Sequence, residues 1–209
     1  MRGSEGLFIV FEGVDGTGKS TQLQLLADFL RSKGLAVVTT CEPTHGQYGK
    51  RIRQLYTCRG DCTAEEELQL FLNDRKEHVD NLIVPSLAEG KVVLCDRYYL
   101  STVAYQGALG FEKDELIQRN AFAPNPDIAL VFFISIEEGQ RRIERGRGEE
   151  LNDFEQQEYL NRVAEIFASL DMPFIRRINA CGSIAEVQDR VVQQILPVLS
   201  SRFLRADEL

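Results

Sequence analysis

Eight consecutive residues, Gly13-Val14-Asp15-Gly16-Thr17-Gly18-Lys19-Ser20, match the pattern G-x-x-x-x-G-K-[ST] in full, and Thr21 follows them. The pattern has a mechanical meaning. Glycines let successive backbone N–H groups turn toward one anion, and the helix opening at the end of the motif adds a partial positive charge. Lys19 is expected to reach the β- and γ-phosphates of a nucleotide, and the Ser20 hydroxyl to coordinate Mg2+. An apolar run, Leu7-Phe8-Ile9-Val10-Phe11, precedes the motif, and a helical pattern from Lys19 to about Ser32 follows it. That strand–loop–helix context separates the motif from a chance glycine-rich turn. Asp96, directly after the apolar run Val92-Val93-Leu94-Cys95, is the carboxylate best placed to hold Mg2+ through water. Its plainer alternatives are a helix cap or a partner for Arg97. A GTPase switch would need a D-x-x-G loop and an N-K-x-D guanine reader, and neither occurs; Asn125-Pro126-Asp127 is not that reader.

The elements that must position these residues alternate between two periodicities. Buried strands are expected at 7–11, 92–95 and 128–134, a β-rich strand at 35–40 and a short strand at 174–178. Helices are expected at 19–32, 48–57, 64–89, 98–107, 112–122, from about 137 to 171 with an interruption, and at 183–200. Thr63 with Glu66 forms a capping box for the long helix, and Ser183 is a cap for the last one. Strands alternating with helices imply right-handed crossovers and a five-stranded parallel sheet flanked by helices. Ligands in such sheets sit outside the carboxyl ends of the strands. Residues 13–20, 41–44, 96–97 and 179–180 should therefore face the functional site.

A length of 209 residues fits one domain spanning 1–209. The 24 basic and 32 acidic residues give a formal charge of −8, which argues against a broad basic surface for nucleic acid. The longest apolar stretch, 128–136, is far short of the roughly 20 residues a bilayer-crossing helix needs, and the first residues lack a signal peptide's apolar region. No membrane partner and a cytoplasmic location are expected. Five cysteines, including Cys58 and Cys62, show no zinc spacing and read as reduced thiols. The stretch from Arg141 to Asp153, with Arg141, Arg142, Arg145 and Arg147, is either a solvated charge run or a lid.

The segment Asp96-Arg97-Tyr98-Tyr99-Leu100-Ser101-Thr102-Val103-Ala104-Tyr105-Gln106 resembles the signature of thymidylate kinases. The phosphate loop beginning at Glu12, Glu42-Pro43, and Phe71-x-x-Asp74-Arg75-x-x-His78 resemble that family as well, and the likeness extends over essentially the whole chain. The resemblance implies a kinase of the nucleoside monophosphate type, α/β with a mobile lid at about 141–155. It implies transfer of the γ-phosphoryl of ATP to dTMP with Mg2+, and a homodimer. Arg97 and Arg53 would grip the acceptor phosphate, as arginine forks suit phosphate geometry. Phe71 would stack on thymine and Arg75 would donate to a base carbonyl. Ser101 belongs to the same substrate-binding run, and Thr102 and Gln106 would meet the polar edge of the base. Tyr105 would pack near the 2′ position of the sugar, and Asp15 would accept from the 3′-hydroxyl.

Read without the resemblance, Phe71 and Tyr105 could be core, and Arg75 could be ion-paired with Asp74 or Glu77 on a solvated face. Glycine at position 16 resembles the family members that place catalytic arginines in the lid, with Arg145 and Arg147 as the candidates. Leu151-Asn152-Asp153-Phe154-Glu155 departs from the family's lid, having an acidic residue where an arginine is usual. Cys41-Glu42-Pro43-Thr44 departs too, lacking arginine before Glu-Pro and glycine after it. The rival readings are a kinase for another deoxynucleotide or a deoxynucleoside, and a non-catalytic nucleotide sensor.

Overall fold

The computed structural model describes residues 6–56, 62–135, 138, 141 and 154–203. Five strands, β1 (Leu7–Glu12), β2 (Val37–Cys41), β3 (Val92–Asp96), β4 (Ile128–Phe133) and β5 (Ile175–Asn179), form one sheet in the order β2-β3-β1-β4-β5. Every pairing is parallel. Helices α1 (Lys19–Ser32), α2 (Gln47–Leu55), α3 (Ala64–His78), α4 (Val84–Ala88), α5 (Tyr99–Ala108), α6 (Lys113–Arg119), α7 (Phe154–Ser169) and α8 (Ile184–Arg202) surround it.

β1 lies at the centre and is buried along its whole length. Its side chains alternate between two cores, as the two-residue period of a strand requires. Leu7, Ile9 and Phe11 meet Leu26 and Leu30 of α1 and Val191 and Ile195 of α8. Phe8 and Val10 meet Leu68 of α3, Val103 of α5 and Phe167 of α7. A fully buried leucine or phenylalanine contributes about 1.5–3 kcal/mol from surface removed from water. The strand that launches the phosphate loop is thus fixed from both sides.

Two local differences from the sequence reading have clear causes. β2 begins at Val37 rather than Leu35, because Leu35 closes α1: its N–H bonds the Leu30 carbonyl while that of Gly34, at φ +79°, bonds Arg31. β2 is also an edge strand, so it is only half-buried. The continuous helix expected over 64–89 contains a π-helical turn at Val79–Ile83, directly ahead of the Val84-Pro85 step. Both predicted caps form as full capping boxes, Thr63 with Glu66 and Ser183 with Glu186. The lid expected at 141–155, with Arg145 and Arg147, lies outside the described residues apart from Arg141 and the start of α7, and Cys58 is outside them as well.

Candidate active site

The carboxyl ends of β1 and β3 open onto a cleft of about 1640 Å³. β1 is the point where the chain's connections diverge to the two sides of the sheet, the usual ligand position in such folds. Gly13 can only be glycine there. Its φ is +129°, and a Cβ would stand 2.5 Å from the Phe132 carbonyl oxygen. Gly18 caps α1 at φ +85° without any side-chain hydrogen bond, and the first turn of α1 holds no acidic residue. The amides at this helix start therefore remain available to an anion.

Lys19 is buried, and its Nζ donates to the Val14 carbonyl (2.8 Å) and to Thr17 Oγ1 (3.4 Å). Burial, reinforced by the nearby Arg97 charge, lowers its pKa to about 7. Ser20 Oγ donates to the Asp96 carboxylate. Sequence places these two 76 residues apart; the parallel register of β1 with β3 brings them together. They form a small set of hard oxygen donors beside the phosphate loop, the chemistry Mg2+ takes when it shares a nucleotide's phosphates. No group of three or more His, Cys, Asp or Glu able to hold a metal exists among the described residues, so an all-protein metal cage is not available.

Arg97 adopts φ +69°, the one non-glycine residue in the left-handed region among those described. Its backbone N–H is held by the Phe11 carbonyl at 2.8 Å. The guanidinium donates to Asp15 Oδ1 (2.7 Å), Ser101 Oγ (3.0 Å), the Gly13 carbonyl (3.2 Å) and the Tyr105 hydroxyl (3.2 Å), and its Cζ lies 5.0 Å from the Tyr105 ring centroid. Burial opposes its charge, but Tyr105, Asp15 and Glu12 more than offset that and hold its pKa above the ordinary arginine value.

Behind Arg97 sits Glu12, fully buried at the end of β1. It accepts from the backbone N–H groups of Tyr98 (2.9 Å) and Ser101 (3.2 Å), and from the Ser101 hydroxyl. Those amides are the N-cap and third residue of α5, whose N-cap Tyr98 supplies no side-chain acceptor. Glu12 thus caps α5 from another element. Burial raises its pKa to about 7 against the pull of Ser101 and Arg97. The Ser101 hydroxyl is shared between Glu12 and Arg97, so Ser101 acts on the cleft through Arg97.

A second arginine centre lines the same cleft. Arg75 is 1% exposed and pairs with Glu42, whose Oε2 accepts from Nε (2.9 Å) and Nη2 (2.7 Å). Its other contacts are Thr102 Oγ1 (3.0 Å), Asn120 Oδ1 (2.5 Å) and the face of Tyr98, 5.4 Å from Cζ to centroid. Asp74 and Glu77, the sequence neighbours considered as its partners, point elsewhere. Asp74 binds Thr44 through the backbone N–H (2.7 Å) and the hydroxyl (2.6 Å), and Glu77 binds Gln47. Arg53 braces the same 42–44 loop, donating to the carbonyls of Pro43 (2.9 Å) and Thr44.

Asp15 to Thr21, Arg53, Phe71, Arg75, Asp96, Arg97, Ser101, Thr102, Tyr105 and Gln106 all line the one cleft. Gly13 and Val14 act from behind it through their carbonyls, on Arg97 and Lys19. Gln106 is 2% exposed and its Oε1 has no hydrogen-bond partner among the described residues. Tyr105 packs edge-on to Tyr159 and Phe167 of α7, and the Tyr159 hydroxyl donates to the Tyr105 carbonyl. Arg141, first of the arginines in the 141–153 charge run, pairs with Glu138 at 2.7 Å.

Sequence reading gave no role to Glu12, His78, Asn120 or Tyr159. Glu12 had a signal, a carboxylate ending an otherwise apolar strand. The partners of Asn120 and Tyr159 lie 45 and 54 residues away, a distance no local pattern spans. Gly182, Ser183, Ile184 and Val187 also line the cleft, just beyond the 179–180 stretch expected there.

The family model described as thymidylate kinase matches residues 11–191. A thymidylate kinase of Desulfotalea psychrophila is 58% identical over 199 residues, covering 95% of this chain and 98% of that protein. Thymidylate kinases of Xanthomonas euvesicatoria and Xanthomonas oryzae are 45% and 43% identical over 197 residues, covering 94% of this chain and 86% of theirs.

Proposed function

This chain belongs to the thymidylate kinase family, and from that premise we propose how its cleft carries the γ-phosphoryl group of ATP to dTMP, giving dTDP and ADP. The observation that carries the reading is one cleft lined together by the phosphate loop, by Arg97 bonded to Asp15 of that loop, and by Arg75. Phosphoryl transfer asks the protein for alignment and charge neutralisation more than for covalent chemistry.

Residues Asp15 to Thr21, backed by Gly13 and Val14, cradle the donor phosphates, with the α1 amides and Lys19 on the β- and γ-groups. Ser20 and Asp96 hold Mg2+; when bound, the ion neutralises charge on the phosphate oxygens. Arg97 and Arg53 grip the acceptor phosphate, and Ser101 and Glu12 keep Arg97 aimed. The attacking atom is already an anionic phosphate oxygen, so no general base is assigned. Asp15 takes the 3′-hydroxyl with lone pairs beyond the one used by Arg97. Phe71 stacks on the base, Arg75 donates to a carbonyl of the base, and Thr102 and Gln106 meet its polar edge. Tyr105, wedged by α7, crowds the 2′ position. Arg145 or Arg147 completes the charge shell from the lid.

The protein works as a homodimer in the cytoplasm without a nucleic-acid partner. The net charge of −8 supports the absence of a nucleic-acid partner and the free thiols Cys41, Cys62, Cys95 and Cys181 support a reducing compartment; no helix among the described residues is long and apolar enough to cross a membrane. α5 is wrapped by α3, α6 and α7 and offers no free face for pairing. The 64–88 run, with Val84 exposed, is the surface left.

The test is ADP release with ATP, Mg2+ and a panel of dTMP, dUMP, dCMP, UMP and thymidine. Turnover confined largely to dTMP is expected. Fast turnover of thymidine would overturn the roles of Arg97 and Arg53, and fast turnover of UMP that of Tyr105.

A further inference from the structure

Arg75 is held by more groups than charge neutralisation requires. A guanidinium has five N–H donors. Four go to protein acceptors: Nε and Nη2 to Glu42, Nη2 to Thr102 and Nη1 to Asn120. The Asn120 amide is itself fixed, because its Nδ2 donates to the Leu116 carbonyl at 2.8 Å. One Nη1 hydrogen is left for the cleft that Arg75 lines. A guanidinium offers no acceptor, so that single position welcomes an oxygen and opposes an amino group.

What keeps the guanidinium in this orientation is the Glu42 carboxylate, 6% exposed. Its Oε2 takes both Arg75 bonds, and its Oε1 takes His78 Nδ1 at 2.9 Å. His78 Nε2 lies 2.8 Å from Thr40 Oγ1. With Nδ1–H donating to the carboxylate, Nε2 accepts from the Thr40 hydroxyl, and the ring is locked at both nitrogens. Arg75 and His78 stand one turn apart on α3 and clamp Glu42 from the same side of the helix. Loss of the imidazole would leave a buried carboxylate oxygen without a donor, a state that drives the carboxylate to turn and Arg75 to follow.

We propose that His78 is a specificity-determining positioning residue: with Thr40 it locks Glu42, Glu42 locks Arg75, and Arg75 then admits a pyrimidine bearing a carbonyl oxygen at that edge and refuses one bearing an amino group. The inference rests on the reading that Arg75 meets the acceptor base.

The experiment is steady-state kinetics with dTMP, dCMP and ATP on the full chain and on H78F, H78N, T40V and R75K. For H78F the ratio of kcat/KM for dTMP to that for dCMP falls about 10-fold, the size of a lost hydrogen bond to a charged group. The loss sits in KM for dTMP, with KM for ATP unchanged. H78N regains part of the ratio, since its amide N–H can reach Glu42 in place of Nδ1. A folded H78F that keeps the ratio, or that loses both nucleotides equally, overturns the proposal. If H78F does not fold, T40V decides: a lowered ratio supports the lock and an unchanged one overturns it. R75K separates the two layers. An unchanged ratio in R75K defeats the reading that Arg75 meets the base, whereas a lowered ratio in R75K with none in H78F defeats only the role of His78.

Discussion

Arg97 and Arg75 face the same cleft and are held in opposite ways. Arg97 sits on a strained loop residue, and its charged partner Asp15 is 66% exposed at the side chain. Arg75 rises from a helix, and its partner Glu42 is buried with it, 4% exposed at the side chain. A solvent-facing carboxylate can yield its place on a guanidinium to a phosphate at little cost. A buried one cannot, because its charge would be left without compensation. The first arrangement suits a group that must exchange partners with an anionic substrate. The second suits a group that presents an unchanging hydrogen-bond pattern.

The largest effect expected from this contrast is kinetic. Arg97→Ala should lower kcat/KM for dTMP by about 10³-fold or more, in line with loss of a charged group aimed at transferring phosphoryl groups. Its thermal midpoint should stay close to the parent's, because Asp15 is already in water. A large fall in stability with modest kinetic loss would reverse the roles given to the two arginines.

Next comes stability. Glu42→Ala should cost about 3–5 kcal/mol in urea unfolding, the cost of leaving one member of a buried pair alone. Asp15→Ala should cost no more than about 1 kcal/mol, as for other exposed pairs. Equal losses for the two variants would show that burial does not separate the centres.

The smallest effect is a proton. Burial, then Arg97, lowers Lys19 to about 7 in the nucleotide-free protein, and a bound polyphosphate favours the charged ammonium. Between about pH 7 and 8 nucleotide binding should therefore take up a fraction of a proton, up to about one. Affinity should weaken as pH rises through this window. Calorimetry with ADP and Mg2+ in two buffers of different ionisation heat measures the uptake, and its loss in Lys19→Met assigns it. Proton release, or none at pH 7.5, would remove Lys19 from the phosphate contact.

The legible part of the site was the part written in contiguous residues. The phosphate loop, the strand before it and the helix after it are one local unit, so pattern and spacing suffice. The Asp96-Arg97 step at the end of an apolar run was legible for the same reason. The acceptor side was legible mainly as family resemblance, because Phe71, Arg75 and Tyr105 carry no local mark that distinguishes them from core or surface residues. The 141–153 stretch was legible as a charge run, and as a lid only through the family resemblance.

The sequence by itself determined the alternation of strands and helices, the two capping boxes, the phosphate cradle and the residues gathered at the strand ends. These follow from short-range rules: a strand's two-residue period, a helix's need for caps, and glycine's freedom at positive φ. Tertiary structure alone decided which carboxylates Arg75 and Arg97 received. Arg75 bonds Glu42, 33 residues away, rather than its neighbours Asp74 and Glu77. Glu12 caps a helix that starts 87 residues further along the chain. The reason is geometric. On α3, adjacent residues point in different directions, so Asp74 faces Thr44 while Arg75 turns into the space between helix and sheet. There its acceptors among the described residues are Glu42 from the loop after β2, Thr102 of α5 and Asn120 after α6, none of them close in sequence.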